Sequence, residues 1–382
     1  MKVLVPFGTR PEIVKLAPVV DELRARGHDV HAVATGQHDD PLLADAFFTD
    51  LGLEPDERWS LPDGESSRVG ALLAHAYDAV AGSTPDLVLV LGDTYTVPLF
   101  GLAARRHGVP VAHLEAGLRS FNDRSLEEVN RRAVAAMTSI HLAPTELAAR
   151  FLADEGHEPA RVRMVGNPIT DTLLRHGPAR RAPDERHGIV VTAHRATNVD
   201  DPDRLARLIE IVTRLGAEVG SVRFPVHPRT RARLEAAGAL DGLAGSAGVS
   251  IEDPLRYPEM LDAVATSTVV VTDSGGLQEE ASWFGVPVVV LRSSTPRWEG
   301  VLDGTTRLVG LDVSAALDAT GALTTPEAQA HATTTPCPYG DGHVAERVAV
   351  LLADPAVAPL LCLAEPDGTS GLPDRVQRAS EP

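Results

Sequence analysis

The sequence predicts an α/β protein made of two doubly wound parallel sheets that face each other across a cleft. Three observations predict it. Short apolar runs alternate with helical segments along most of the 382-residue chain, the pattern of parallel sheets covered on both faces. The alternation weakens once, across Gly166–Arg186, where Pro168, Pro178 and Pro183 cluster, and then restarts. Polar and charged residues follow directly on the apolar runs, at the strand ends where such sheets bind ligands. Two Rossmann-like domains follow, residues 1–167 and 187–353, joined by a linker at 168–186. The last helix is expected to pack back on the first domain. Residues 354–382 are rich in Pro, Ala and Gly without periodicity and read as a disordered tail.

In the first half, Val3–Phe7 reads as a strand and Pro11–Arg26 as a helix stopped by Gly27. Val30–Thr35, Leu87–Leu91, Val109–Leu114 and Ile140–Ala143 follow as strands, with a helix at Leu126–Met137. In the second half, strands are expected at Gly188–Thr192, near Val222–Pro225, and at Val249–Ile251, Val269–Thr272 and Val286–Leu291.

A net charge of −18 argues against nonspecific nucleic-acid or anionic-membrane binding. A phosphorylated small molecule needs only a few local cations and stays open. No run of about 18 apolar residues suggests a membrane span, and the chain enters a strand at once, with no signal-peptide pattern. Two cysteines, Cys337 and Cys362, make no disulfide framework, so a reducing cytoplasm is expected. Cations are written almost wholly as arginine, which with abundant Ala, Gly and Pro points to a GC-rich genome such as an actinobacterium's. Lys15 stands out against that background.

The stretch Asp273-Ser274-Gly275-Gly276 carries the most chemistry. Glycines between a strand and a helix let backbone N–H groups close on a phosphate, and the helix dipole favours the anion. Glu279 and Glu280 follow within two turns, placed to accept from sugar or ribose hydroxyls, and Arg292 and Arg297 lie beyond the next strand. Phosphate donors, hydroxyl acceptors and guanidinium charge together suggest a nucleotide-diphosphate sugar. On the other half, Arg10 and Lys15 follow the first strand and can reach a diphosphate from the opposite side. Asp93, Glu115 and Glu127 fall at strand ends or helix starts, and clustered acids of this kind serve acid–base work. Glu128 reads as a helix-capping acid. His194, in Val191-Thr192-Ala193-His194-Arg195, can donate to a phosphate or leaving group, and His227 occupies a similar position. No metal motif and no dinucleotide fingerprint is present, so neither a metal nor a redox cofactor is expected.

Together these motifs resemble the non-hydrolysing UDP-N-acetylglucosamine 2-epimerase family. The matching elements are G-T-R-P-E with Lys15, T-G-Q-H at 35–38, L-G-D-T at 91–94, H-L-E-A-G-L-R at 113–119 and E-E-V-N-R at 127–131. They continue with V-G-N-P at 165–168, T-A-H-R at 192–195, T-D-S-G-G-L-Q-E-E at 272–280, R-S-S-T-P-R-W-E at 292–299 and P-Y-G-D-G at 338–342. The resemblance implies a GT-B-like architecture and a homodimer closing over a UDP-sugar. It also implies elimination of UDP with loss of the C2 proton, then re-addition with protonation on the opposite face. Asp93, Glu115 and Glu127 become the catalytic acids and His194 the group assisting UDP departure. Arg10, Lys15, Ser274, Gly275, Gly276 and Arg297 hold the diphosphate, with Arg292 nearby, and Glu280 takes the ribose hydroxyls.

The chain departs from the family in places. The family's T-x-H-R-x-E-N loses its acid across His194–Asn198, and T-E-R-P-E becomes Thr295-Pro296-Arg297-Trp298-Glu299. Asp40-Pro41 follows Gln37-His38, a region where many bacterial members bind a second, activating UDP-GlcNAc. With an abbreviated helix expected after Ser66, weak or absent activation follows. Competing readings are a hydrolysing epimerase releasing ManNAc and UDP, an epimerase of another UDP-2-acetamido sugar, a GT-B glycosyltransferase, and a catalytically dead nucleotide-sugar sensor.

Overall fold

The computed structural model describes residues 1–37 and 48–363. The first sheet contains β1 (Lys2–Phe7), β2 (Asp29–Ala34), β3 (Glu57–Arg58), β4 (Leu87–Leu91), β5 (Val111–Leu114), β6 (Ile140–Ala143) and β7 (Val162–Met164). The second contains β8 (Ile189–Thr192), β9 (Val222–Pro225), β10 (Val249–Glu252), β11 (Val269–Thr272), β12 (Val288–Val290) and β13 (Thr306–Leu308). Their orders are β3-β2-β1-β4-β5-β6-β7 and β10-β9-β8-β11-β12-β13, and neighbouring strands pair in parallel. The expected α/β class with two doubly wound sheets is what the chain adopts.

The central strands explain why the polar motifs converge. A doubly wound sheet opens a crevice where the strand order reverses, because helices leave adjacent strand ends in opposite directions. The reversal falls between β1 and β4 in one sheet and between β8 and β11 in the other. The segment after β1 carries Arg10 and Lys15, and the one after β4 carries Asp93. The segments after β8 and β11 carry His194 and Ser274. Strand β4, L-V-L-V-L, is buried along its whole length, as a strand covered on both faces must be.

Strands β3, β7 and β13 were not anticipated. Each is a short outer strand, and Glu57, Arg58, Arg163 and Arg307 interrupt the apolar runs that would have marked them. Ile169–His176, inside the expected linker, is a helix. Its polar residues are buried because each finds a partner: the Thr172 hydroxyl donates to the Val14 carbonyl at 2.6 Å. Asp171 accepts from the Val344 and Ala345 N–H groups at 3.0 and 2.9 Å, capping the helix Val344–Ala353 at its positive end. That helix packs on the helix Arg10–Ala25, and Val344 and Val348 belong to the same apolar cluster as Ile13, Ala17 and Val20. The segment expected to be disordered from 354 instead begins with buried Val357 and a short helix, Ala358–Leu361. Residues 364–382 of that expectation lie outside the described residues. The helix after Ser66, expected to be abbreviated, runs Glu65–Ser83.

Burial of two histidines makes the first half sensitive to acid. His113 and His141 are each 1% exposed, and His113 Nε2 donates to the Gly92 carbonyl at 2.8 Å. Burial pushes His113 down to about 4 and His141 down to about 3, the latter helped by the neighbouring His157. Each Nδ1 is buried without a partner, so a proton there would be an unpaired buried charge. The folded values lie below the ordinary one, so the unfolded chain binds protons first as pH falls through about 6.5. Stability is therefore present at neutral pH and lost on acidification. Lowering the pH from 7 to 5 should cost about 2 kcal/mol per histidine, read by denaturant unfolding. Glu12 and Glu280, each pushed up to about 7 by burial, act in the opposite sense over that interval. The histidine contribution is therefore read as the difference between the wild type and His141→Gln, and an identical pH dependence in the two proteins would contradict it.

Candidate active site

One buried cluster sits where the two sheets meet. Lys15 projects from the helix that opens at Arg10, whose start is set by the Thr9–Glu12 capping box and Pro11. Its Nζ lies 2.5 Å from Glu115 Oε1 and 2.7 Å from Glu279 Oε2, with all three side chains nearly inaccessible. Arg297 meets Glu279 through Nε and Nη2, both at 2.8 Å, and lies 4.0 Å from Glu115. Asn167 donates to Glu115 at 2.6 Å and to Glu279 at 3.1 Å. Two cations and two carboxylates from opposite sides of the cleft thus neutralise each other, with a carboxamide between the acids.

Glu115 follows β5 with φ at +62°, a left-handed conformation that costs a side-chain-bearing residue roughly 1–3 kcal/mol and concentrates at functional sites. Burial would raise its carboxyl, but the Lys15 ammonium and the Arg297 guanidinium override this and hold it below the usual range. Asp93 behaves likewise. Burial opposes ionisation, and Arg131, bonded to its carboxylate, wins with help from Arg297 and Lys15. Both acids are therefore bases, not proton donors, at neutral pH. Lys15 and Arg297 are held charged despite burial by Glu115 and Glu279.

Glu127 reaches the seam from the first turn of the helix Leu126–Ala135. It accepts from Ser125 Oγ at 2.5 Å and pairs with Arg195 across the cleft at 3.3 Å. Glu128, expected to cap this helix, does not. Ser125 is the cap, and the Glu128 carboxylate is buried against Ser120 N–H at 2.8 Å and Arg131 at 2.9 Å.

His194 stands at the mouth of the second half with Asp273 behind it. Asp273 is fully buried and accepts from the N–H groups of His194 and Arg195 and from Asn198, each within 3.1 Å. His194 Nδ1 lies 3.3 Å from Asp273 Oδ1, which leaves Nε2 for a ligand. Its packed surroundings lower its proton affinity, with Asp273 opposing. Arg10 comes within 3.4 Å of His227 Nε2, and the His194 and His227 rings lie 5.3 Å apart.

Ser274 precedes the helix Gly275–Phe284, and no side chain caps that terminus. Gly275, expected to lie against a phosphate, makes room for Arg297, since a Cβ there would meet Arg297 Nη1 at 2.7 Å. A Cβ on Gly276 would meet nothing within 4 Å, so that residue leaves the mouth of the helix open. Arg292 Nη1 is buried without a partner, and burial beside Arg195 and Arg297 pushes its guanidinium down to about 10. Glu280, the expected ribose acceptor, is buried against Tyr257 and pushed up to about 7. Glu279 was expected to accept from hydroxyls; its oxygens are taken by Lys15, Arg297 and Asn167. Sequence reasoning missed Asn167, Arg131 and Asp273 because each acts through a residue distant in sequence. All three sit inside motifs whose other members were singled out.

The structure thus brings Lys15, Asp93, Glu115, Glu127, His194 and Arg297 to one seam. The family model described as UDP-N-acetylglucosamine 2-epimerase matches residues 21–353. The chain belongs to this family. The UDP-N-acetylglucosamine 2-epimerase of Methanocaldococcus jannaschii is 36% identical over 326 residues, 81% of this chain and 88% of that protein. The UDP-2,3-diacetamido-2,3-dideoxy-D-glucuronate 2-epimerase of Pseudomonas aeruginosa is 35% identical over 92% of this chain and 99% of that one. Among solved structures, the M. jannaschii UDP-GlcNAc 2-epimerase in complex with UDP-GlcNAc and UDP superposes with a TM-score of 0.84 at 32% identity, covering 92% and 99% of the chains. The Neisseria meningitidis enzyme bound to UDP-GlcNAc gives 0.82 at 30%, covering 93% and 100%. The epimerase family's GT-B-like arrangement of two α/β domains is therefore the fold of this chain.

Proposed function

We propose that the chain interconverts UDP-GlcNAc and UDP-ManNAc by eliminating UDP to a 2-acetamidoglucal and adding it back. The observation that carries this reading is the Lys15–Glu115–Arg297 cluster, which puts an ionised carboxylate and two cations suited to a diphosphate within one interaction network. The C2 proton is weakly acidic, so its removal needs a base held close and a leaving group stabilised electrostatically. Glu115 is that base, and Asp93, held by Arg131, supports the intermediate. Lys15, Arg297, Arg10 and the Ser274–Gly276 turn hold the diphosphate through elimination and return, and His194, aligned by Asp273, assists its departure. UDP stays between the two halves of the molecule, which the homodimer expected from the resemblance would carry twice.

A second substrate is favoured by one observation. Arg292 Nη1 is buried among cations without a partner, and a sugar carboxylate would pair with it, as the named substrate of the Pseudomonas relative could. Incubation in D2O tests both readings. Deuterium at C2 of intact UDP-GlcNAc and UDP-ManNAc is expected, with velocity rising hyperbolically in substrate. Free ManNAc would indicate a hydrolysing enzyme. Exchange confined to the 2,3-diacetamido uronate would move the substrate assignment, and absence of exchange with either sugar would overturn the reaction.

A further inference from the structure

We propose that Glu279 is a positioning residue that divides Lys15 between two carboxylates, setting both the strength of the UDP grip and the basicity of Glu115. The proposal rests on the epimerase reading of this cleft.

Glu279 has no accessible surface and touches neither solvent nor an open ligand space. Its Oε1 accepts from Arg297 and Asn167, and its Oε2 faces Lys15. Lys15, Asn167 and Glu115 follow strands of the first sheet, whereas Glu279 and Arg297 belong to the second. One carboxylate therefore holds the two cations of the phosphate site in register across the cleft. Without a ligand, two buried cations beside Glu115 alone would carry excess positive charge in a poorly solvated space. Glu279 offsets that charge.

The same arrangement governs the base. The charged groups facing Glu115 are Lys15 from the first helix, Arg297 from the segment after β12, and Asp93 from the segment after β4, with Glu279 behind Lys15. Lys15 bonded to one acid alone would suppress that acid's basicity more than Lys15 shared between two. Sharing keeps Glu115 ionised but still able to take a proton. The sharing also weakens the attraction of Lys15 and Arg297 for a diphosphate, which lets the UDP-sugar product leave once UDP has been added back.

Glu279→Gln separates this role from a structural one. The amide oxygen can keep Arg297 and Asn167, while its NH2 meets Lys15 donor to donor and turns that lysine wholly onto Glu115. UDP should then bind about tenfold tighter by calorimetry, kcat should fall about thirtyfold, and the acidic limb of the kcat–pH profile should move to lower pH. Weaker UDP binding together with a lower kcat and an unmoved profile would overturn the proposal, since loss of architecture gives that pattern. Glu279→Asp, which keeps the charge, is expected to hold UDP affinity within about threefold and leave the acidic limb in place. If Glu279→Gln fails to fold, a tenfold loss of UDP affinity in Glu279→Asp is the overturning result. Calorimetry needs no turnover, so an inactive wild type would sink the epimerase reading without deciding this one.

Discussion

Glu115→Gln should lower deuterium incorporation at C2 by about a thousandfold while UDP binds no more weakly than to the wild type, because Lys15 loses one of its two carboxylates. The size follows from what a positioned general base contributes to proton transfer. Gln is isosteric and keeps an acceptor for Lys15 or Asn167, so the fold is expected to survive. The residue already sits in a strained left-handed conformation, and the same backbone must carry the substituted side chain, so a shifted melting temperature would be read separately from turnover. Exchange at the wild-type rate would remove Glu115 from the proton-transfer step and leave Asp93, the other cleft acid held ionised with help from the same cations, as the candidate base.

Arg297→Ala should be costlier still, because it fails in two ways at once. Glu279 loses both guanidinium contacts and is left buried with Lys15 and Asn167. Breaking a buried pair by removing one partner costs about 3–5 kcal/mol, which should appear as a lower denaturation midpoint. On the proposed reaction the diphosphate would also lose a charge-assisted donor where charge develops as UDP departs, so kcat/KM should fall by about three orders of magnitude. Near-normal UDP affinity in a folded Arg297→Ala variant would show that Arg10, Lys15 and the Ser274–Gly276 turn suffice. Trp298 beside it donates to the Arg119 carbonyl at 2.8 Å. The family's Pro at that position has no such donor, so this chain fastens the arginine's segment to the opposite half in its own way.

The strands that position the site were legible because buried parallel strands such as Val88–Leu91 and Val269–Val271 are nearly pure apolar runs. The acids and cations were legible because they follow those runs directly. What could not be read was pairing. Lys15 and Glu279, or Asn167 and Glu115, meet only when two sheets close on each other, and no local periodicity encodes that approach. Glu279 shows the consequence. Little more than one turn into a helix, it resembles a solvent-facing hydroxyl acceptor, yet closure buries it between two cations. The helix Ile169–His176 was hidden for a related reason. Asp171 and Thr172 look like linker residues until their partners on the helices Val344–Ala353 and Arg10–Ala25 are seen.

The return of Val344–Ala353 to the first helix means that the polypeptide passes between the two halves twice. Relative motion of the halves must therefore twist both passages together, which favours rotation about a shared axis over swinging on a single tether. It also makes the halves unequal as independent pieces. A fragment severed near residue 187 would keep the seven described strands of its sheet but leave bare the apolar side of the first helix that the helix Val344–Ala353 packs on. Its missing wall is encoded more than 150 residues downstream.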